Sequence, residues 1–192
     1  MTRVLVLGAG KIGRMIARLL LDSGDYGVVV GDSSAAALER ISRRVGVDTT
    51  AIDVLSSAQL HDAIGRCDAV ISALSFFHNI RVAEAALAAG VSYFDLTEDV
   101  ATTRHVRDVA ARARDGQIFM PQCGLAPGFI SIVAQDLTRR FEKLDAVRMR
   151  VGALPLFPTG TLKYNLTWST DGLINEYCNP CEAIHDGRRV EL

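Results

Sequence analysis

Apolar residues in the first 145 positions fall in short dense runs, separated by longer stretches with helical spacing. Arg3 to Leu7 is one such run and ends at Gly8, after which Ile12 to Leu21 repeats apolar residues at helical intervals. Gly27 to Gly31 encloses Val28, Val29 and Val30, β-branched residues suited to a strand buried on both faces. The same alternation predicts a helix over Ser34 to Val45, a strand over Asp48 to Ile52 and a short helix over Ser57 to Ile64. Asp68 to Leu74 reads as a strand, Asn79 to Ala89 as an alanine-rich helix closed by Gly90, and Val91 to Leu96 as a strand. A helix over Ala101 to Arg114, a sixth strand over Gln117 to Pro121 and a helix over Ile130 to Phe141 complete the series. Strands alternating with helices of crossover length predict an α/β fold, a doubly wound parallel sheet over residues 1–145.

The rhythm changes after Asp145. Val147 to Leu154 reads as a strand, and Pro155 to Gly160 as a loop. Leu162 to Ser169 alternates, with Leu162, Tyr164, Leu166 and Trp168 on one face and Lys163, Asn165, Thr167 and Ser169 on the other. Gly172 to Tyr177 suits a helical turn, and Gly187 to Leu192 begins a further strand. So few strands cannot stand as a domain by themselves. Residues 146–192 therefore read as the incomplete start of a second, mainly β substrate domain. Its uncovered edge and apolar face imply either self-association through this region or a disordered tail after about Leu154.

Charge removes some functions from consideration. With 21 basic residues against 22 acidic ones the net charge is −1, so no broad field draws nucleic acid or an anionic membrane. No apolar run approaches the roughly 20 residues of a membrane span. Val4 to Leu7 is too short for the core of a secretion signal. Four cysteines without such a signal fit free thiols in a reducing compartment. The expectation is a soluble, cytoplasmic protein.

Gly8-Ala9-Gly10-Lys11-Ile12-Gly13 is a G-x-G-x-x-G that follows a predicted strand and opens a predicted helix, the context of a Rossmann dinucleotide site. The first glycine permits the turn, the second admits a pyrophosphate, and the third lets the helix pack close to the strand. Backbone N–H groups at the helix start would hold the phosphates. Asp32 ends the second strand, where an acid bonds the adenosine ribose hydroxyls and repels a 2′-phosphate. Ser33 and Ser34 follow it, and Arg40, Arg43 and Arg44 lie further along the next helix. NAD is therefore favoured, with NADP second. Asp53 either reaches the adenine region or is a simple loop residue. Ser72, Ala73 and Leu74 end the fourth strand, where small side chains leave room for the nicotinamide half.

Cys123-Gly124-Leu125-Ala126-Pro127-Gly128-Phe129 resembles the G-L-x-P-G turn of the saccharopine dehydrogenase-like family, which includes saccharopine reductases and lysine 6-dehydrogenases. Gly152-Ala153-Leu154-Pro155, Leu162-Lys163-Tyr164, Trp168-Ser169-Thr170-Asp171-Gly172 and Asp186-Gly187-Arg188 follow that family's pattern in order, and the resemblance covers essentially the whole chain. It implies an NAD(P)-dependent oxidoreductase acting on the C–N bond of an amino acid, interconverting amine and imine by hydride transfer. It also implies a chain of almost twice this length and a homodimer formed through the second domain.

The chemistry needs a group to move the nitrogen's proton and charges to orient an amino acid. Asp95, at the end of the fifth strand, either orients or deprotonates a substrate amine or is a hydrogen-bonded structural acid. His78 borders the family's substrate pocket, as a general acid/base or as a helix-start hydrogen bonder. Cys123 lines that pocket, as a reactive thiol or an inert one. Glu98, Gly124, Lys163 and Asp171 are candidates for substrate contact, although Glu98 and Asp99 also suit a helix start. Two positions depart from the saccharopine reductase pattern: Ala126 replaces an Asp, and Asp171 replaces an Arg placed for a substrate carboxylate. Both favour a substrate presenting an amine, as in the lysine 6-dehydrogenase branch.

Cys178, Cys181 and His185 fall short of a four-ligand metal set, so no metal is expected. The competing function is a cofactor-binding or nucleotide-sensing module without catalysis of its own.

Overall fold

The computed structural model describes residues 1–152, 155–161, 163, 170–178, 180 and 182–191. Six strands form one parallel sheet: β1 (Thr2–Leu7), β2 (Tyr26–Asp32), β3 (Asp48–Ala51), β4 (Ala69–Ser72), β5 (Ser92–Asp95) and β6 (Phe119–Met120). Their order is β3-β2-β1-β4-β5-β6, the doubly wound arrangement expected from the alternation. β1 lies inside the sheet and pairs with both β2 and β4, bringing Leu7 opposite Gly31 on one side and Ser72 on the other.

Successive β1 side chains point to opposite faces, and this alternation divides the core in two. Val4 and Val6 join Ala17 of α1 (Lys11–Ser23) and Leu38 and Ile41 of α2 (Ala35–Val45) on one face. Leu5 and Leu7 join Leu60 of α3 (Ser57–Ile64), Val82 of α4 (Asn79–Ala89) and Val106 of α5 (Val100–Ala110) on the other. Burying each such Val or Leu side chain contributes about 1.5–3 kcal/mol. As expected, Gly90 closes α4 in the left-handed conformation at φ 72°.

Several elements are shorter than their sequence patterns suggest. β6 holds two residues instead of the five from Gln117 to Pro121. It pairs with β5 alone, and Pro121 has no N–H to extend the ladder. The following helix, α6 (Phe129–Thr138), buries none of its side chains fully, and Phe129, Ile132 and Leu137 are exposed.

The expected strand at Val147 is not formed: residues 147–152 lie outside any strand, with Val147, Met149 and Val151 exposed. Among the described residues no strand pairs with this segment, so its apolar alternation has no ladder to join. Ala153, Leu154, Leu162 and Tyr164 to Ser169 fall outside the described residues, and with them most of the alternating segment. Beyond it, α7 (Thr170–Cys178) is a full helix, longer than the helical turn expected. β7 (Glu182–His185), absent from the expectation, pairs antiparallel with β8 (Arg188–Glu191). Asp186 and Gly187 join them at φ 49° and 72°, the Asp-Gly turn whose twist matches a hairpin. Arg104 of α5 lies 3.7 Å from both Glu182 and Glu191, facing the hairpin. Among the described residues, no helix is long and apolar enough to cross a membrane.

Candidate functional site

The sheet order reverses between β1 and β4, so a crevice opens at their carboxyl ends. The three glycines bordering it differ in what requires them. Gly8 adopts φ 105°, and a Cβ there would lie 2.8 Å from the Ala73 carbonyl oxygen. A Cβ on Gly13 would meet the Gly8 carbonyl oxygen at 1.8 Å. The chain's own packing therefore demands both. Gly10 is different: it has φ −73°, and a Cβ there would have no neighbour within 4 Å. Open space lies over Gly10, at the first turn of α1, where the amides of Lys11, Ile12 and Gly13 have no intrahelical acceptor. That turn contains no acidic residue. The donors, the helix dipole and the space fit the pyrophosphate of a dinucleotide.

Asp32 ends β2 and reaches the turn directly. One carboxylate oxygen accepts from the Ala9 amide at 2.7 Å, and the other from the Ser34 amide at 2.8 Å. Ser33 is exposed beside it, while Ser34 caps α2 by accepting from the Ala37 amide. Arg43 is drawn to Glu39 on its own helix. Asp53 organises its own turn, accepting from the Leu55 amide at 2.9 Å while its amide donates to Gln59.

On the β4 side, Ser72 does more than leave room. Its buried hydroxyl donates to Asn79 Oδ1 at 2.7 Å, tying the strand end to the start of α4. Ala73 packs its backbone against Gly8, with the half-buried Leu74 beside it. His78 ends a single 3-10 turn, Phe76–His78, and its side chain is half-buried without capping the helix that follows. The helix-start hydrogen bond is thus not made.

Asp95 and Cys123 do come together, but not as reactive groups. Asp95 is 0% exposed. One of its carboxylate oxygens accepts from the amides of Thr97 at 2.9 Å and Gln122 at 3.1 Å, and the other from the Tyr93 hydroxyl at 2.8 Å. Burial raises its pKa above the usual carboxylate range, against the opposing pull of these hydrogen bonds. Burial first, and the Asp95 carboxylate second, likewise hold the Tyr93 phenol protonated. An acid sealed in this way cannot touch a substrate amine, which corrects that reading of Asp95. The Cys123 amide donates to the Asp95 carbonyl at 2.7 Å, and its thiol donates to the Met120 carbonyl at 3.1 Å. Burial, then the negative charge of Asp95, push the thiol pKa up, opposite to what a nucleophile requires.

Past Cys123, Gly124 and Gly128 close a tight turn. The Phe129 amide donates to the Gly124 carbonyl at 2.9 Å, and Gly128 takes φ 132°. Glu98 accepts from Asn175 of α7 at 3.2 Å, and Asp99 caps α5 through the Thr102 amide at 2.6 Å. Lys163 is exposed at φ 51°, outside any strand. Asp171 is exposed in the first turn of α7, a favourable place for an acid. Cys181 falls outside the described residues, among which no cluster of His, Cys, Asp and Glu is arranged to hold a metal. Ala9, Asn79, Thr97 and Gln122 were not legible as site residues, since each acts through a backbone amide or a partner distant in sequence.

Residues 4–120 match the family model described as the saccharopine dehydrogenase NADP binding domain, and residues 124–192 the one described as the saccharopine dehydrogenase C-terminal domain. Among solved structures, the chain is similar to apo saccharopine dehydrogenase (L-Glu forming) from Saccharomyces cerevisiae. That match has 20% identity and a TM-score of 0.68, over 100% of this chain and 44% of that one. It is also similar to scyllo-inositol dehydrogenase from Lactobacillus casei with bound NAD(H) and scyllo-inositol, at 17% identity and a TM-score of 0.57 over 73% of this chain and 41% of that one. Biliverdin reductase from Synechocystis, in complex with biliverdin and NADP+, matches 62% of this chain and 37% of its own at 20% identity and a TM-score of 0.50. At these identities the likeness is one of fold. The chain spans less than half the length of the yeast protein.

Proposed function

The chain belongs to the saccharopine dehydrogenase family, and from that premise we propose that it binds a nicotinamide dinucleotide and serves hydride transfer at the C–N bond of an amino acid. The observation that carries this reading is the open space over Gly10, which the chain's own packing does not require. The bound dinucleotide supplies or accepts the hydride. The first-turn amides of α1 hold its pyrophosphate, and Asp32 accepts from its ribose hydroxyls. His78 is the group that holds or moves the substrate nitrogen's proton. Residues 1–145 form the cofactor part, and residues 146–192 begin the substrate part and carry a homodimer contact.

Between the two cofactors, the carboxylate of Asp32 disfavours a 2′-phosphate and speaks for NAD, whereas the description of the matching family model speaks for NADP. We assign NAD. On the substrate side, Ala126 and Asp171 favour a molecule presenting an amine over one rich in carboxylates. Calorimetric titration with NAD and NADP tests the first part, and cofactor reduction with lysine or saccharopine tests the second. Failure to bind either dinucleotide would overturn the assignment.

A binding module without catalysis is the second reading. It is favoured by the engagement of Asp95 and Cys123 in the chain's own hydrogen bonds. NAD binding without turnover of any amine would establish it.

A further inference from the structure

The loop after β6 has an unusual backbone. Gln122, a non-glycine residue, sits at φ 63°, a conformation that L residues with a side chain rarely adopt. Such a residue persists only where its surroundings hold it. What holds Gln122 is its amide hydrogen bond to the buried Asp95 carboxylate at 3.1 Å, together with the bond at 2.7 Å from the next amide, Cys123, to the Asp95 carbonyl. The same carboxylate oxygen also fixes the Thr97 amide, at the start of the loop leading to α5. Two loops at the carboxyl edge of the sheet thus converge on one side chain. Immediately beyond lies the closed turn Gly124–Gly128, in which a Cβ on Gly128 would come within 2.2 Å of the Gly124 carbonyl oxygen. So compact a turn moves as a unit, and its position is set where it joins β6.

We propose that Asp95 is a positioning residue, a latch that fixes the Gln122–Gly128 turn, and through it the crevice wall at the β5–β6 end of the sheet. Its role in the reaction rests on the function proposed above, whereas the latch itself is measurable without cofactor or substrate. The geometry also specifies which replacement should preserve it. Both backbone amides donate to one oxygen of Asp95, and the Tyr93 hydroxyl donates to the other. An asparagine can therefore present its carbonyl oxygen to the two amides and donate its NH2 to the phenol oxygen, which turns from donor to acceptor. Negative charge is not needed for the latch. Alanine leaves both amides without this acceptor, the Thr97 amide buried and the Gln122 amide half-buried.

The test uses the whole 192-residue chain and two variants, Asp95→Asn and Asp95→Ala. Cys123 is the reporter, because its thiol is half-buried in the latched turn. Its alkylation by iodoacetamide is followed by peptide-resolved mass spectrometry, alongside hydrogen exchange at residues 122–128. Asp95→Asn should keep the hydrogen-exchange protection within about twofold of the unaltered chain, and labelling is compared between the two variants, which both lack the charge that raises the thiol pKa. Relative to Asp95→Asn, Asp95→Ala should raise both the labelling and the exchange rates about tenfold or more. Equal loosening in both variants would show that the charge, not the hydrogen-bond pattern, holds the turn, and would overturn the latch. Unchanged rates in Asp95→Ala would overturn it as well. If the alanine variant does not fold, the asparagine variant decides alone by keeping or losing protection. A chain that binds neither NAD nor NADP would defeat the proposed function and leave these outcomes intact.

Discussion

The Ala9 amide and the Asp32 carboxylate, 23 residues apart, meet at 2.7 Å and tie the glycine turn to the end of β2. Asp32 thus shapes the glycine turn, besides the ribose contact proposed for it.

Asp32→Ala is expected to lower NAD affinity about tenfold or more and to erode the preference over NADP, since hydrogen bonds to a charged group contribute about 1.5–3 kcal/mol. Asp32→Asn should be nearly as damaging, because the Ala9 and Ser34 amides donate to different carboxylate oxygens and the NH2 group would face one of them. Calorimetric titration of both variants checks this. NADP binding tenfold tighter than NAD to the unaltered chain would show that the arginines of α2 outweigh Asp32.

Gly10→Ala and Gly13→Ala should separate binding from folding. The alanine methyl at position 10 meets nothing in the protein, so the thermal midpoint should hold while NAD binding weakens at least tenfold. At position 13 the methyl meets the Gly8 carbonyl oxygen, and overpacking of about 1–3 kcal/mol should lower the midpoint by several degrees. A cofactor-competent Gly10→Ala would remove the pyrophosphate from this space.

Cys123 should alkylate slowly at pH 7 compared with the exposed Cys178, because burial and the neighbouring carboxylate hold its thiol protonated. Cys123→Ser should leave NAD affinity within about twofold. Peptide-resolved labelling and titration measure both, and a Cys123 that reacts faster than Cys178 would restore it as a nucleophile.

The raised pKa of Asp95 gives a pH dependence of definite sign. Folding favours its protonated form, so its contribution to stability is full below the ordinary carboxyl value of about 4 and is lost as pH rises through the higher native value. Asparagine carries no such dependence. The melting point of Asp95→Asn relative to the unaltered chain should therefore be higher at pH 8 than at pH 4. Scanning calorimetry across that range checks it, and a relative melting point that rises on acidification would contradict the assignment.

The α/β alternation, the six-stranded sheet and the glycine turn were legible because each is written in neighbouring residues. Val28 to Val30 announce a buried strand, and Gly8 to Gly13 announce a strand-to-helix turn, within a few positions. The hairpin of β7 and β8 is equally local, its turn written in Asp186-Gly187. The expected strand at Val147 fails for the opposite reason: a strand needs a partner, and alternation along one segment cannot say whether another lies beside it. Asp95 is the clearest division between the two kinds of information. Its place at the end of β5 follows from the sequence, since β-branched and aromatic residues before it define the strand. Whether its carboxylate faced a substrate or the protein depended on where Gln122, 27 residues away, delivers its amide. Tertiary structure alone decided that, because the cost of burying a charge is settled by whichever donors the fold brings to it, and these come from parts of the chain that local periodicity does not connect.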